Sequence, residues 1–241
     1  MKKIIASCIA MAVANTTLAW CFLGHRTINN RAVFALPPEL FGFYKKHIDY
    51  ITAHSVDPDS RRYLVEDEGC RHYLDCDHYE AAAPLDTIPH YWHGAVEKYS
   101  EDTLKAHGVV PWHCLLMLRQ LTRAFESGDI PKILKYSAEI GHYVADAHVP
   151  LHTTGNHNGQ RTGQHGIHAL WESRIPQLFL DSLDLLTGTV EYIRDPNEFI
   201  WTVVGQGYAA VDTVLKAENR VDEKNFGNKY SFEMRGQNTQ L

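Results

Sequence analysis

At 241 residues, with 44% hydrophobic and 22% charged side chains, the chain has the composition of an ordinary globular protein, enough for one well-filled core and with no call for a second domain. Its 23 Lys and Arg against 29 Asp and Glu give a formal net charge of −6, which excludes a broad basic track for a nucleic-acid backbone. Bound divalent cations would still make a pocket locally positive, so charge alone does not choose a substrate.

The first stretch, MKKIIASCIAMAVANTTLA, has a basic start at Lys2 and Lys3, an apolar run from Ile4 to Ala14, and small residues leading to Ala19. It reads as a signal peptide over residues 1–19, because the run is too short to span a bilayer. Export to a periplasmic or extracellular space is expected, with Trp20 as the first residue of a mature domain covering 20–241. The leader takes two lysines and no acid with it, leaving 21 basic against 29 acidic residues and a net charge of −8. Four cysteines stay, Cys21, Cys70, Cys76 and Cys114. In an oxidising compartment they allow three pairings, of which Cys70 with Cys76 is the local one.

After Trp20-Cys21-Phe22-Leu23-Gly24-His25, a short helix is expected through Ala32, Val33 and Phe34. Pro37-Pro38-Glu39 starts a stronger one, with Leu40, Phe41, Tyr44, Ile48 and Ile51 on one face, ending in the Asp57-Pro58-Asp59 turn. Residues 63–93 read as irregular. Helices are predicted from about Trp92 to Ala106, Val110 to Glu126 and Ile130 to His148, the last two separated by Ser127-Gly128-Asp129, a glycine after one helix end and an acidic cap before the next. Met117, Leu118, Leu121 and Phe125 form a core stripe. A polar loop from Thr153 to Gln164 leads to a helix from about His165 to Leu180. A final helix from about Pro196 to Ala217 packs through Ile200, Val203, Val204, Tyr208, Val211 and Leu215, and the tail after Glu218 is expected to fray. No repeat or strand-dominated region appears, so the prediction is an all-α, single-domain helical bundle.

Chemistry concentrates in residues 141–176. His142 with Asp146 and His168 with Glu172 stand at i and i+4, so each pair aims an imidazole nitrogen and a carboxylate oxygen from one helix face. His148 and His152 lie between them around Pro150. Zinc accepts such nitrogen and oxygen donors, and a cleft between helices is where they would converge. Two pairs in one short stretch favour a metal site over a histidine-rich bundle. The dense run Arg71-His72-Tyr73-Leu74-Asp75-Cys76-Asp77-His78 taken alone reads as a hydrogen-bonded loop.

The His142-x-x-x-Asp146-x-His148-x-Pro150-Leu151-His152 run, followed by His168-Ala169-Leu170-Trp171-Glu172, resembles the zinc-dependent phospholipase C and single-strand nuclease superfamily. The likeness spans residues 20 to about 176. It implies an all-α phosphodiesterase with three zinc ions. The first ion would be held by Asp59, His72, His142 and Asp146, and the second by His152, His168 and Glu172. The third would be held by the α-amine and carbonyl of Trp20 with His25, bridged by Asp146. Asp59 rather than Asp57 is chosen on the Asp59-x-x-Arg62 spacing. His54, Asp75, Asp77, His78, His113 and His148 would fix the imidazole tautomers. Asp59 would orient or deprotonate the attacking water, and Arg62 would hold a phosphate oxygen.

Features of both branches are present. Glu172 and the His72-x-x-Asp75-x-Asp77 run resemble the phospholipases. The step from Trp20 to His25, the Asp59-x-x-Arg62 spacing and Pro150-Leu151-His152 resemble the nucleases. The balance favours phospholipid as substrate over single-stranded nucleic acid, with peripheral contact to a lipid surface, no transmembrane segment and a monomeric state. Tyr91, Trp92 and Trp112 are candidates to stack a base or enter a lipid interface. The reading from another class is a zinc-sequestering protein without turnover.

Overall fold

A computed structural model describes residues 22–79, 85–185 and 190–224, with the backbone of 232–235 and 237–240. Trp20 and Cys21 lie outside the described residues, as does the leader.

Two helices form the spine. α7 (Val110–Ser127) and α8 (Ile130–Ala147) pack along each other. The turn between them is built as its sequence demands: Gly128 takes the left-handed conformation at φ 66°, and the Asp129 carboxylate accepts the Lys132 backbone N–H at 3.1 Å. α8 buries Ile133, Leu134, Ala138, His142, Tyr143, Ala145 and Asp146. Its polar buried residues therefore look inward, where partners must be found.

Around the spine sit α1 (Phe22–Ala35), α2 (Pro38–Lys46), α3 (Ile48–Ala53) and α4 (Asp57–Arg61) on one side, and α5 (Trp92–Tyr99) with α6 (Glu101–His107) on another. α9 (Ile167–Ala169) runs through a π turn (Leu170–Arg174) into α10 (Ile175–Phe179), and α11 (Pro196–Lys224) closes the bundle against α7 and the Pro150–Thr153 turn. The all-α prediction holds. The tail differs, since α11 runs seven residues past Ala217 and β1 (Phe232–Arg235) pairs antiparallel with β2 (Gln237–Gln240) in a short hairpin.

Two predicted helices are broken by local chemistry, and one predicted stop is not a stop. The helix from Pro38 divides at His47, whose φ of −111° and ψ of 17° leave the helical region. The helix from Trp92 stops at Ser100, which adopts φ 70° and accepts the Thr103 N–H on its hydroxyl, starting α6 afresh. Pro58 does not end helical structure but opens α4, because a proline costs nothing in a first turn that has no N–H acceptor to lose. α4 delivers Asp59 to the interior.

The main apolar cluster joins Leu74, Cys76, Ile88, Leu104, Trp112, Met117, Tyr143 and Val204. Cys70 and Cys114 belong to it too, and all three described cysteines are free thiols. The expected Cys70–Cys76 pairing is not formed, and Cys70 Sγ donates instead to the Asp67 carbonyl at 3.1 Å. Trp112 is likewise buried rather than displayed, its indole N–H donating to the Pro89 carbonyl at 3.2 Å. Among the described residues, no helix is long and apolar enough to cross a membrane.

Candidate metal centre

The centre begins at Asp146, wholly buried near the end of α8. Its Oδ2 lies 2.8 Å from His72 Nδ1 and 3.3 Å from His142 Nε2, one turn earlier on the same helix. Its Oδ1 faces the other way, 3.4 Å from His25 Nε2 and 3.7 Å from His152 Nδ1. One carboxylate thus spans imidazoles from four separate segments. Asp59 stands across from it, 3.8 Å from both His72 Nδ1 and His142 Nε2 and 4.0 Å from His25 Nε2. Asp57, the rejected alternative, is half exposed and bound to His54 Nδ1 at 2.7 Å.

Each side chain is aimed by its local backbone. His25 and Asn29 share one face of α1, and the Asn29 amide donates to the Ala138 carbonyl of α8 at 2.8 Å. That bond sets α1 against α8 and stacks the His25 ring on His142 at 3.8 Å. The Gly69–His72 turn is pinned to the start of α7, the Val109 N–H donating to the Cys70 carbonyl at 2.7 Å and the Val110 N–H to the Tyr73 carbonyl at 3.2 Å. Gly108 permits this approach, since a β-carbon there would overlap the Tyr73 carbonyl. The Leu74 N–H then donates to the His152 carbonyl at 2.9 Å, tying this turn to the Pro150–Thr153 turn.

A second group adjoins the first. His168 Nε2 is 3.1 Å from Glu172 Oε2, and His152 Nε2 is 3.4 Å from Glu172 Oε1. Glu172 sits in the π turn, a local widening of the helix that recurs at functional sites.

Three sets of possible ligands follow: His25, Asp59 and His142; His72, His142 and Asp146; and His152, His168 and Glu172. Two donors held about 2.0–2.2 Å from a tetrahedral zinc stand roughly 3.3–3.6 Å apart. Many separations here fall in or near that range and are longer than good hydrogen bonds. Among the described residues, both ring nitrogens of His25, both oxygens of Asp59, Oδ1 of Asp146 and Nδ1 of His152 are buried without a hydrogen-bond partner. So many orphaned donors and acceptors converging on one space would be costly unless a cation filled it, and the residues therefore fit zinc.

The electrostatics agree. Burial, reinforced by neighbouring His142, lowers the His25 pKa to about 3, and burial lowers that of His72 to about 4, so both rings present lone pairs at neutral pH. Burial and the nearby Asp146 raise Asp59 to about 7 against the pull of His142. His152 is the reverse case: burial is outweighed by Glu172 and Asp146, which raise it to about 9. An imidazolium held between carboxylates is a proton standing where a cation would bind.

Outer partners were only partly foreseen. His142 Nδ1 donates to the Ser55 carbonyl at 2.8 Å and His168 Nδ1 to the His157 carbonyl at 3.2 Å, leaving Nε2 of each ring for the centre. His72 is reversed. Its Nδ1 faces the centre, and its Nε2 lies 3.8 Å from Oε1 of buried Glu68, which is bound by Tyr143 Oη, Arg61 and Arg71. Ser55, Glu68 and His157 were not singled out from the sequence. Of the residues that were, His148 bonds the Val144 carbonyl and His54 bonds Asp57, both away from the ligands. Asp77 holds the 154–161 loop through Thr154, the Gly155 N–H and Arg161. Asp75 lies 3.5 Å from His107, whose ring stacks on His78, and His113 packs edge-on to Tyr143.

The centre opens to a cavity of about 250 Å³ lined by His72, His152 and His168 on the inner side and by Arg62, Tyr73 and Asp75 among others. Arg62 follows α4 directly, and no ion pair among the described residues engages it. Every predicted ligand within the described residues is thus in one neighbourhood. Trp20, three residues before Leu23 on α1, lies outside them.

The sequence model described as zinc dependent phospholipase C matches residues 24–230. No curated protein and no solved structure matches the chain. With nearly the whole sequence covered and a zinc-compatible cluster at its centre, the chain belongs to the zinc-dependent phospholipase C family.

Proposed function

We propose that the mature domain, residues 20–241, is an exported phospholipase C that cleaves phospholipid phosphodiesters. The observation that carries this reading is the juxtaposition of a buried, cation-compatible cluster around Asp146 with the Arg62 guanidinium on the wall of the same cavity, engaged by no ion pair among the described residues. Bound zinc supplies Lewis acidity and a water acidified towards a pKa of about 7. Asp59, His72, His142 and Asp146 would hold one ion, His152, His168 and Glu172 a second, and His25 with the Trp20 terminus a third, Asp146 being shared.

The chain's own groups do the rest. Asp59, a buried carboxylate at the edge of the cluster, orients the attacking water and takes its proton. Arg62 grips a nonbridging phosphate oxygen by charge-assisted hydrogen bonds and orients the phosphorus for in-line displacement. The carbonyls of Ser55 and His157 keep two imidazoles in the tautomer that leaves Nε2 available.

The test is a parallel assay of the mature protein on phosphatidylcholine vesicles and on single-stranded DNA and RNA, with and without chelator. Diacylglycerol release abolished by chelator is expected. Preferential cleavage of nucleic acid would make the chain a nuclease on the same scaffold, and bound zinc without any turnover would make it a sequestering protein.

A further inference from the structure

Between Arg61 and Glu68 the chain makes a tight turn in which the catalytic reading gives a role to Arg62 alone. Its backbone is fixed: the N–H groups of Leu64 and Val65 both donate to the Arg61 carbonyl, at 2.8 and 2.9 Å, and Glu68 N–H donates to Val65 at 3.3 Å. Both ends are anchored as well. Arg61 donates to Glu68, Glu139 and Tyr143, and Asp67 pairs with Lys105 at 2.9 Å.

On this rigid support three consecutive apolar side chains point to solvent, Tyr63 at 63%, Leu64 at 87% and Val65 at 42% exposure. Single exposed apolar residues are ordinary, but an adjacent trio on a braced turn is a displayed patch. It also adjoins the cavity, because Arg62 lines the cavity and its guanidinium lies 5.8 Å over the Tyr63 ring.

We infer that Tyr63, Leu64 and Val65 form an apolar tip that inserts into the interface of a phospholipid bilayer and sets the cavity mouth at the depth of the scissile phosphates. The inference rests on the lipid reading of the site. Two observations select a bilayer over a nucleic-acid strand. Two of the three side chains are aliphatic and offer no ring for a base to stack on. Local charge agrees: the tip is flanked by Arg62 and Glu66, of opposite sign, on a mature chain of net charge −8, and so offers no basic patch to a polyanion. The same charge selects a zwitterionic surface, held by insertion and so insensitive to salt, while Tyr63 supplies a ring and hydroxyl suited to the headgroup boundary.

The experiment measures partition of the zinc-loaded protein onto phosphatidylcholine vesicles, and the ratio of its turnover on those vesicles to its turnover on monomeric short-chain phosphatidylcholine. Leu64→Asp is expected to lower both partition and ratio at least about tenfold, and Leu64→Trp to raise partition several-fold, in low salt and at about 0.5 M alike. Wild-type cleavage of both lipid forms with partition and ratio indifferent to either variant overturns the tip while leaving the lipid reading intact. No cleavage of phosphatidylcholine in either form overturns both. Loss of single-stranded oligonucleotide binding in Leu64→Asp, with vesicle partition unchanged, overturns the tip and assigns the patch to nucleic acid.

Discussion

Asp146 is the residue on which the centre turns, because its two oxygens face different pairs of imidazoles. Asp146→Asn keeps the shape of the side chain but replaces one oxygen by an N–H donor that no cation accepts. The variant is expected to fold with α8 intact, bind less zinc per chain by elemental analysis, and lose at least about tenfold in chelator-sensitive phosphodiester hydrolysis, the low end of the cost of altering outer partners alone. Full zinc content and undiminished turnover would remove Asp146 from the centre. His142 and Asp146 were legible because a helix fixes the i, i+4 relation whatever surrounds it. Ser55 and Glu68 were not, since a carbonyl 87 residues from His142 and a carboxylate behind His72 become partners only through packing.

Among the elements, the contact between α1 and α8 decides whether His25 joins the cluster. Gly141 lies on α8 beside His142, and a methyl there would overlap the Asn29 side-chain oxygen on α1. Gly141→Ala should therefore push the helices apart and break the bond from Asn29 to the Ala138 carbonyl. A loss of about 1–3 kcal/mol is expected in denaturant unfolding, despite the better helix propensity of alanine, together with lower zinc content. An alanine variant as stable and as zinc-rich as the parent would show that α1 tolerates displacement. Helix starts and stops were readable where a cap residue announces them, as at Gly128 and Asp129. They were missed at His47, an unremarkable residue whose backbone leaves the helical region, and at Ser100, a capping serine set inside an otherwise continuous helical pattern.

For the molecule as a whole, acid sensitivity follows from His113. Burial, then the Arg71 charge, depress its pKa from 6.5 to about 3, and the ring is not among the ligands. The unfolded chain takes up this proton near pH 6.5 while the fold refuses it down to about 3. Stability is therefore present above pH 6.5 and is lost progressively as pH falls towards 3. His113→Gln, which cannot titrate, should flatten the fall in Tm across that window. An unchanged slope would mean that the ring is protonated in the fold. The all-α class and the two pairs at 142/146 and 168/172 were visible in the sequence because periodicity and i, i+4 spacing are local, whereas His25, Asp59 and His72 came only from the family resemblance. The tip at 63–65 was not, since exposure belongs to the finished surface.

The three thiols at 70, 76 and 114 share the layer that supports His72, and none is bridged. Their reaction with an alkylating reagent must then wait for that layer to part. Peptide-resolved alkylation of these sulfurs would act as a clock for opening events, and slower modification after zinc is added would show that metal capture and closure of the apolar layer are one equilibrium.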